Sequence, residues 1–287
     1  MSLTFAYGTN GLADHRIDEA VRLLADTGFA GVSLTLDHQH LDPGGPDPRA
    51  AAAELKPVID AAGLRVVIET GARFVLDPRA KHRPNLLDTD GRDRRLAMYK
   101  TAVEVAAELG SPIVHLWSGH LPSDVDAATA WQRLVAGVSD LLEFADAHQI
   151  DLAFEPEPGM LVENIADVRR LTADLDDHPR FGFTLDIGHC ICLEPEPVPH
   201  CVGAVADRLK HVQIEDMRRG VHEHLPFGDG ELDLPEALQA LIDADYQGLV
   251  SVELPRHSHT AHTAVPAAYN ALTFAAQSIT HQSVVNS

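Results

Sequence analysis

The sequence has few cysteines and no long apolar run. Its three cysteines include the close pair Cys190 and Cys192, which we interpret as small buried residues rather than a redox pair. So few thiols do not make a disulfide framework, and a reducing cytoplasm is expected. No apolar run approaches the roughly 20 residues that span a bilayer, and the N-terminus does not resemble a secretory signal. We therefore expect a cytoplasmic protein that does not bind membranes.

Positive charge is also scarce. The chain has 22 Lys and Arg residues against 43 Asp and Glu residues, which gives a formal net charge of -21. Such a field repels phosphate backbones and therefore opposes tight binding to nucleic acid. The expected partner is a small molecule, either neutral or an anion that a few well-placed cations meet.

Short apolar runs alternate with helix-like stretches along the whole chain. Eight such pairs predict an α/β protein, a single (β/α)8 TIM barrel over 1–287, with 283–287 as a flexible tail. A doubly wound open sheet is the alternative, but the first strand lacks the glycine-rich phosphate turn of that fold. The predicted strands are Thr4–Gly8, Gly31–Leu36, Arg65–Thr70, Pro112–Trp117, Leu152–Glu155, Phe181–Asp186, Leu209–Ile214 and Leu249–Leu254. The predicted helices are His15–Thr27, Arg49–Ala62, Arg92–Leu109, Asp124–His148, Val162–Leu175, Val198–Asp207, Leu234–Ala244 and Ala264–Thr280.

Three connections are longer than is usual in such a fold: Asp37–Pro48, Gly71–Gly91 and Arg218–Asp233. Each follows a strand, so each is expected at the catalytic end of the barrel. The second connection carries a basic cluster, which is either a solvated loop or a lid that contacts an oxygen-rich substrate. The cluster consists of Arg73, Arg79, Lys81, His82 and Arg83.

Four of the predicted strands end in side chains that can bind a metal: Glu155, Asp186, Gln213 and Glu253. Side chains alternate along a strand, so residues two apart lie on the same face. The residues of opposite parity in the same strands are apolar and are expected to pack against the helices. The four polar side chains are therefore expected to point into the barrel. These apolar neighbours are Leu152, Phe154, Leu185, Val212, Val250 and Val252.

Three carboxylates buried together are prohibitively costly unless a cation neutralises them. The strand endings Glu155, Asp186, Gln213 and Glu253 therefore predict a divalent metal site. Oxygen donors favour Mn²⁺ or Mg²⁺, with Co²⁺ or Zn²⁺ as further candidates. The alternative is that one or two of these carboxylates form structural ion pairs.

Several other polar or aromatic residues are expected at the same end of the barrel as substrate contacts. Imidazoles bind hydroxyl groups and stabilise developing oxyanions, and an indole offers an apolar wall to a sugar, although simple packing explains it equally well. The roles of Glu69, Glu157 and His222 are left open. The candidate substrate-binding residues are His115, Trp117, His189, His211, Arg219 and His224.

At these residues the chain resembles the xylose isomerase-like TIM barrels, the sugar-phosphate isomerase/epimerase superfamily. The resemblance implies metal ligands at the ends of the fifth to eighth strands, which Glu155, Asp186 and Glu253 match. It also implies that His189 and Arg219 bind substrate oxygens. Ketose 3-epimerases of this superfamily have His-x-His in the seventh strand, whereas this chain has His211-Val-Gln213. Gln at that position resembles the hydroxypyruvate isomerases and the dehydroshikimate dehydratases, in which it binds the metal.

The resemblance and the strand endings together predict a metal-dependent sugar isomerase or epimerase. Glu155 or Glu253 would remove a proton next to a carbonyl group to give a metal-bound enediolate. The same species could expel a β-hydroxyl group, so a dehydratase or lyase is the alternative. A non-catalytic sugar-binding barrel and an endonuclease IV-like phosphodiesterase are weaker alternatives, and a dimer or tetramer is expected by analogy only.

Overall fold

The computed structural model describes residues 3–285, and at its centre eight parallel strands close into a barrel. The chain therefore has the predicted (β/α)8 architecture. The strands are β1 Thr4–Gly8, β2 Gly31–Thr35, β3 Arg65–Glu69, β4 Ile113–Trp117, β5 Asp151–Glu155, β6 Phe181–Asp186, β7 Leu209–Ile214, β8 Asp216–Arg218, β9 Val221–Leu225 and β10 Leu249–Val252. Around the barrel the order is β1, β10, β7, β6, β5, β4, β3 and β2, while β8 and β9 pair separately as an antiparallel hairpin.

The helices follow the strands and surround the barrel. They are α1 Ile17–Thr27, α2 Pro48–Ala62, α3 Arg92–Leu109, α4 Ala127–His148, α5 Ile165–Asp174, α6 Ile187–Leu193, α7 Val198–Val205, α8 Leu234–Asp243 and α9 Ala261–Val285. Glycine ends α1 and α2: Gly28 and Gly63 have φ angles of 110° and 68°, a left-handed conformation that costs glycine little. No helix of the described residues is long and apolar enough to cross a membrane.

The main core lies between the outer face of the barrel and the helices. The six apolar residues that were expected to face the helices all belong to it, which confirms the parity argument. Each of them is at most 1% exposed: Leu152, Phe154, Leu185, Val212, Val250 and Val252. A second, smaller cluster fills the inside of the barrel, and it consists of Ala6, Val67, Ile113, Ala153 and Leu249. These apolar residues fill the lower part of the barrel, so the polar layer above them opens towards the carboxyl ends of the strands.

The structure differs from the prediction in three places. Helix α6, Ile187–Leu193, directly after β6, was not predicted. The connection Arg218–Asp233 was predicted as a long loop. In the structure its first part belongs to a β-hairpin that is formed by β8 and β9. Helix α9 reaches Val285, so 283–285 of the expected tail are helical, and 286 and 287 lie outside the described residues.

Candidate active site

The carboxyl ends of the barrel strands open into a cavity of about 370 Å³. Predicted ligands and predicted substrate contacts meet there, because strands β4, β5 and β7 and the residue after β10 all end at the same edge. The predicted residues that line the cavity are His115, Trp117, Glu155, Gln213, His224 and Glu253. Asp186 and His189 are buried directly beside this group, at 1% and 4% exposure.

Glu155 lies at the end of β5 between two imidazoles. Its Oε2 is 2.7 Å from Nε2 of His115, and its Oε1 is 3.3 Å from Nδ1 of His189. Burial alone lowers the pKa of each histidine, but the charge of Glu155 raises the pKa of His115, and the charges of Asp186, Glu157 and Glu155 raise that of His189. His115 can therefore hold the Glu155 carboxylate by a charge-assisted hydrogen bond, and His189 contacts it as an ion-pair partner.

Glu253 follows β10 and is fixed by two amides. Nδ2 of Asn10 donates to its Oε1 and Nε2 of Gln213 donates to its Oε2, each over 2.7 Å. Burial, together with the charges of Glu69 and Glu155, raises the pKa of Glu253 well above its ordinary value. A carboxyl group with a raised pKa can exchange a proton with a substrate near neutral pH.

Asp186 ends β6 and also begins α6, since its Oδ1 accepts a hydrogen bond of 2.9 Å from the backbone N–H of His189. Its Oδ2 is buried and has no hydrogen-bond partner among the described residues. Burial would raise the pKa of Asp186, but the charge of His189 above all holds it below its ordinary value. Asp186 is thus a buried carboxylate with one oxygen available to a cation.

Glu69, Gln213 and the deeper His211 are joined at the floor of the cavity. Nε2 of His211 and Nε2 of Gln213 each lie 3.3 Å from Oε1 of Glu69. His211 is completely buried and does not line the cavity. The expectation that His211 touches substrate is therefore not supported; its imidazole orients Glu69, which itself lines the cavity.

Arg219, also expected to bind substrate, lies away from the cavity. It is exposed in the turn between β8 and β9, where Gly220 has a φ of 72°, and its guanidinium donates to the backbone carbonyl of Glu194. The turn reverses the chain immediately after β8 and places this side chain in an exposed position, so nothing in the geometry of the cavity supports a substrate contact by Arg219.

Hairpin strand β9 brings His222 and His224 to the cavity beside His189. Nε2 of His222 is 3.0 Å from Nε2 of His189, and the ring centroids of His189 and His224 are 5.8 Å apart. Burial lowers the pKa of His222 to about 4 and that of His224 to about 3, and the neighbouring His189 adds to both shifts. These two imidazoles are neutral at pH 7 and can donate a nitrogen lone pair or accept a hydroxyl proton.

Sequence reasoning missed Glu215. This residue lies just after β7, two positions beyond Gln213, and is completely buried. The strand parity that turned Gln213 inward applies equally to Glu215, so the signal was present in the sequence. Burial, then the charges of Asp186 and Glu253, raise its pKa well above the ordinary value.

The basic cluster of the connection between β3 and α3 divides into two groups. Arg73, Lys81 and His82 line the cavity, and His82 lies with its ring centroid 5.0 Å from that of Trp117. Arg79 instead pairs with Asp77 in solvent, and Arg83 pairs with Asp88. Part of the cluster is therefore a cationic wall of the cavity, and part is a solvated loop.

The donors that surround the cavity suit a hard divalent cation. Oε1 of Gln213 and Oδ2 of Asp186 are buried without a hydrogen-bond partner among the described residues. Such orphaned oxygens are costly unless a cation or water meets them. The described chain contains three groups of residues whose ligand atoms could hold a cation. Within each group the ligand atoms lie within 4.8 Å of one another. The groups are Asp186, Glu215, His224 and Glu253; Glu155, Glu157 and His189; and His189, His222 and His224.

Comparison with known proteins assigns the chain to one family. The model of the xylose isomerase-like TIM barrel family matches residues 21–274, and the chain belongs to this family. Fructoselysine 3-epimerase of Shigella flexneri is 27% identical over 250 residues, which cover 83% of this chain and 85% of that relative. Inosose dehydratase of Salmonella agona (strain SL483) is 29% identical over 171 residues, 53% of this chain and 52% of that relative.

A solved structure of an L-ribulose 3-epimerase superposes on the whole barrel. Its TM-score is 0.79 at 17% sequence identity, and the match covers 100% of this chain and 98% of that chain. At this identity the likeness concerns the fold. The substrate must be argued from the side chains of the cavity.

Proposed function

We propose that this protein is a divalent-metal-dependent sugar isomerase or epimerase that moves a proton at a carbon next to a carbonyl group. The observation that carries the proposal is the pair Glu155 and Glu253, which both line the cavity. Two strands, β6 and β7, separate the strands from which they come. A substrate between them would present one face to each carboxyl group, and this is the arrangement that proton transfer between two positions requires.

The two carboxyl groups are prepared for opposite roles. Glu155 lies beside His115 and His189, whose pKa values are raised by the neighbouring carboxylates, so it is the proposed base. Glu253 is held by the amides of Asn10 and Gln213 on another side of the cavity, so it is the proposed proton donor in the same direction of reaction. Return of the proton to the opposite face gives an epimer, and return to the neighbouring carbon gives an isomer.

The proposed cation would polarise the substrate carbonyl group and acidify the adjacent C–H bond. Asp186, Gln213 and Glu253 offer oxygen donors for it, with Glu155 at the edge of the same group. Mn²⁺ or Mg²⁺ suits these donors best. The known relatives support a sugar as substrate, since fructoselysine 3-epimerase matches most of the chain.

The remaining cavity residues would position the sugar. Trp117 presents an aromatic face that suits the apolar face of a sugar, and neutral His222 and His224 can bind its hydroxyl groups. Lys81 and Arg73 add positive charge at one wall. A small, oxygen-rich substrate is consistent with all of these contacts.

A dehydratase is the second candidate, because inosose dehydratase matches about half of the chain. Both reactions begin with removal of the same proton by Glu155. They differ in whether a β-hydroxyl group then leaves.

The proposal is tested by proton exchange in D₂O. A panel of ketoses, aldoses and inososes is incubated with protein and Mn²⁺, and NMR records which C–H signal is lost and which product appears. Glu155→Gln and Glu253→Gln should each reduce exchange by roughly a hundredfold or more. Epimer or isomer formation distinguishes the first candidate from the dehydratase, which releases an unsaturated or deoxy product.

A further inference from the structure

Arg95 is a buried cation to which the proton transfer described above assigns no role. It lies near the start of α3 and is 1% exposed. None of its hydrogen-bond partners among the described residues is a carboxylate. Burial lowers the pKa of its guanidinium, and a charge in a protein interior is costly unless other groups stabilise it. The groups that stabilise this charge therefore indicate its role.

The guanidinium holds the connection between β3 and α3 through two backbone carbonyl groups. Its Nε donates to the carbonyl oxygen of Pro84 over 2.9 Å, and its Nη2 donates to that of His82 over 3.3 Å. A guanidinium has donors in a rigid planar fork, which an ammonium group lacks, so it can hold two carbonyl groups at once. Arg95 thus fixes the backbone at Lys81 and His82, which line one wall of the cavity.

The same guanidinium lies against Trp117 at the end of β4. Its Cζ atom is 5.1 Å from the centroid of the Trp117 ring, a cation–π contact that is stronger when water is excluded. Tyr99, one helical turn further along α3, donates its hydroxyl to the carbonyl oxygen of Trp117 over 3.3 Å. The ring of His82 lies 5.0 Å from that of Trp117. One face of α3 therefore holds both the ring and the backbone of Trp117, and Arg95 connects Trp117 with His82.

We propose that Arg95 is a positioning residue that holds Trp117 and His82 in the wall of the active-site cavity. The effect on sugar binding rests on the proposed function, whereas the effect on Trp117 does not. Arg95 does not itself line the cavity, so it acts on a substrate only through these two residues. Its loss should weaken sugar binding and leave proton transfer intact, because neither Glu155 nor Glu253 is among its hydrogen-bond partners.

The first test separates this role from general support of the connection. Arg95→Met removes the charge and the donors, and Arg133→Met is its matched control. Arg133 lies in α4 and donates to the carbonyl oxygen of Leu87 in the same connection over 2.8 Å, but it does not line the cavity. With a sugar that exchanges in D₂O, Arg95→Met should raise KM roughly tenfold and change kcat little, because the loss of uniform binding appears in KM. Arg133→Met should leave both constants unchanged.

A second readout follows Trp117 itself and needs no substrate. The chain has 2 tryptophans, so in a Trp131→Phe background the tryptophan fluorescence comes from Trp117 alone. Trp117 is 2% exposed, and acrylamide should therefore quench its fluorescence weakly. Adding Arg95→Met should raise the quenching constant roughly twofold or more, because the ring loses the group packed on it and the wall opens locally. Adding Arg133→Met should leave the constant unchanged.

The outcomes distinguish this inference from the proposed function. A wild-type protein that exchanges no sugar contradicts the function, while the quenching of Trp117 still tests Arg95. Unchanged KM or unchanged quenching in folded Arg95→Met would overturn the positioning role. Equal changes in Arg133→Met would also overturn it, because they would show a loosening of the whole connection.

A lysine variant keeps the test decisive if Arg95→Met does not fold. Arg95→Lys retains the positive charge and the long stem but lacks the planar fork. It should therefore fold and show the same rise in KM and in Trp117 quenching, to a smaller degree. Wild-type values of both in Arg95→Lys, or a failure of this variant to fold as well, would show a structural role alone and overturn the proposal.

Discussion

Single residues in this cavity have partners that fix their chemical state. Gln213 is the clearest example, since its Nε2 donates to Oε2 of Glu253 over 2.7 Å and to Oε1 of Glu69 over 3.3 Å. An amide at this position joins two carboxyl groups that would otherwise repel one another. The residue that departs from the ketose 3-epimerase pattern therefore stabilises the acidic cavity as well as offering a donor oxygen.

Gln213→Glu should destabilise the metal-free protein. The substitution converts two hydrogen bonds to carboxyl groups into contacts between carboxyl groups, and the free energy of unfolding should fall by roughly 2–3 kcal/mol. Urea denaturation without metal measures this change. The control is Gln239→Glu, whose amide donates to Asp243 in an exposed position, and it should change the free energy by less than about 0.5 kcal/mol. Equal effects at both positions would contradict the role given to Gln213.

His82 should make the protein less stable in acid. Burial, then the charge of Lys81, lowers the pKa of His82 from the ordinary 6.5 to about 3. As the pH falls below 6.5 the unfolded chain takes up a proton first, so the stability contributed by neutral His82 is lost between about pH 6.5 and 3. His82→Gln should reduce the loss of unfolding free energy between pH 7 and 5 by up to about 2 kcal/mol. Denaturation curves at both pH values measure it, and the exposed His259→Gln should leave the difference unchanged.

At the scale of secondary structure, two short elements complete the site. Helix α6 begins at Asp186 and contains Gly188, and the hairpin β8–β9 brings His222 and His224 over the carboxyl ends of the strands. Neither element was predicted. A helix of the length of α6 is too short for a helical repeat to be read from its sequence, and the hairpin lies in a polar segment that lacks the apolar alternation of a strand.

Gly188→Ala should force Glu215 or α6, and with it Asp186, to move and should therefore weaken metal binding. A Cβ atom at 188 would lie 2.0 Å from Oε1 of Glu215, so either the carboxyl group or α6 must move. The matched control is Gly203→Ala in α7, where a Cβ atom meets nothing within 4 Å. That control should raise stability by about 0.5–1 kcal/mol and keep the wild-type affinity for Mn²⁺. Titration of both variants with Mn²⁺ measures the affinities. An unchanged affinity in Gly188→Ala would contradict the role given to Gly188.

The connection between β3 and α3 should contribute to substrate binding through Lys81. Lys81 lines the cavity, whereas the Arg79 guanidinium pairs with Asp77 at the surface. Lys81→Gln should raise KM for the reactive sugar roughly tenfold with little change in kcat, because the contact is expected to be equally strong before and during the reaction. Arg79→Gln should leave both constants unchanged. Steady-state kinetics on the two variants measures this, and a fall in kcat alone would contradict a binding role.

At the scale of the whole molecule, the barrel could be predicted from sequence because strand-like and helix-like segments alternate regularly along the chain. Alternating side chains and regular strand–helix pairs located Glu155, Asp186, Gln213 and Glu253 at one end of the barrel. The direction of Arg219 could not be predicted, because it depends on a turn conformation at Gly220. Contacts across the cavity depend on how loops return over the barrel, and neither periodicity nor parity determines that path.

The distribution of charge also belongs to the whole molecule. The net charge is -21, yet Arg73, Lys81 and Arg256 all line the cavity. An acidic surface with cations at one opening attracts and orients a ligand that is rich in oxygen or negatively charged. This distribution agrees with a small polar substrate and opposes nucleic acid as a partner.

The central claim is that Glu155 and Glu253 move a proton at a sugar carbon, and isotope exchange tests it most directly. Wild-type protein with Mn²⁺ in D₂O should incorporate one deuterium next to the carbonyl group of a sugar in the panel. Glu155→Gln and Glu253→Gln should lose this incorporation while remaining folded. A metal-loaded wild-type protein that incorporates no deuterium into any sugar, or a Glu155→Gln variant that exchanges at the wild-type rate, would contradict the claim.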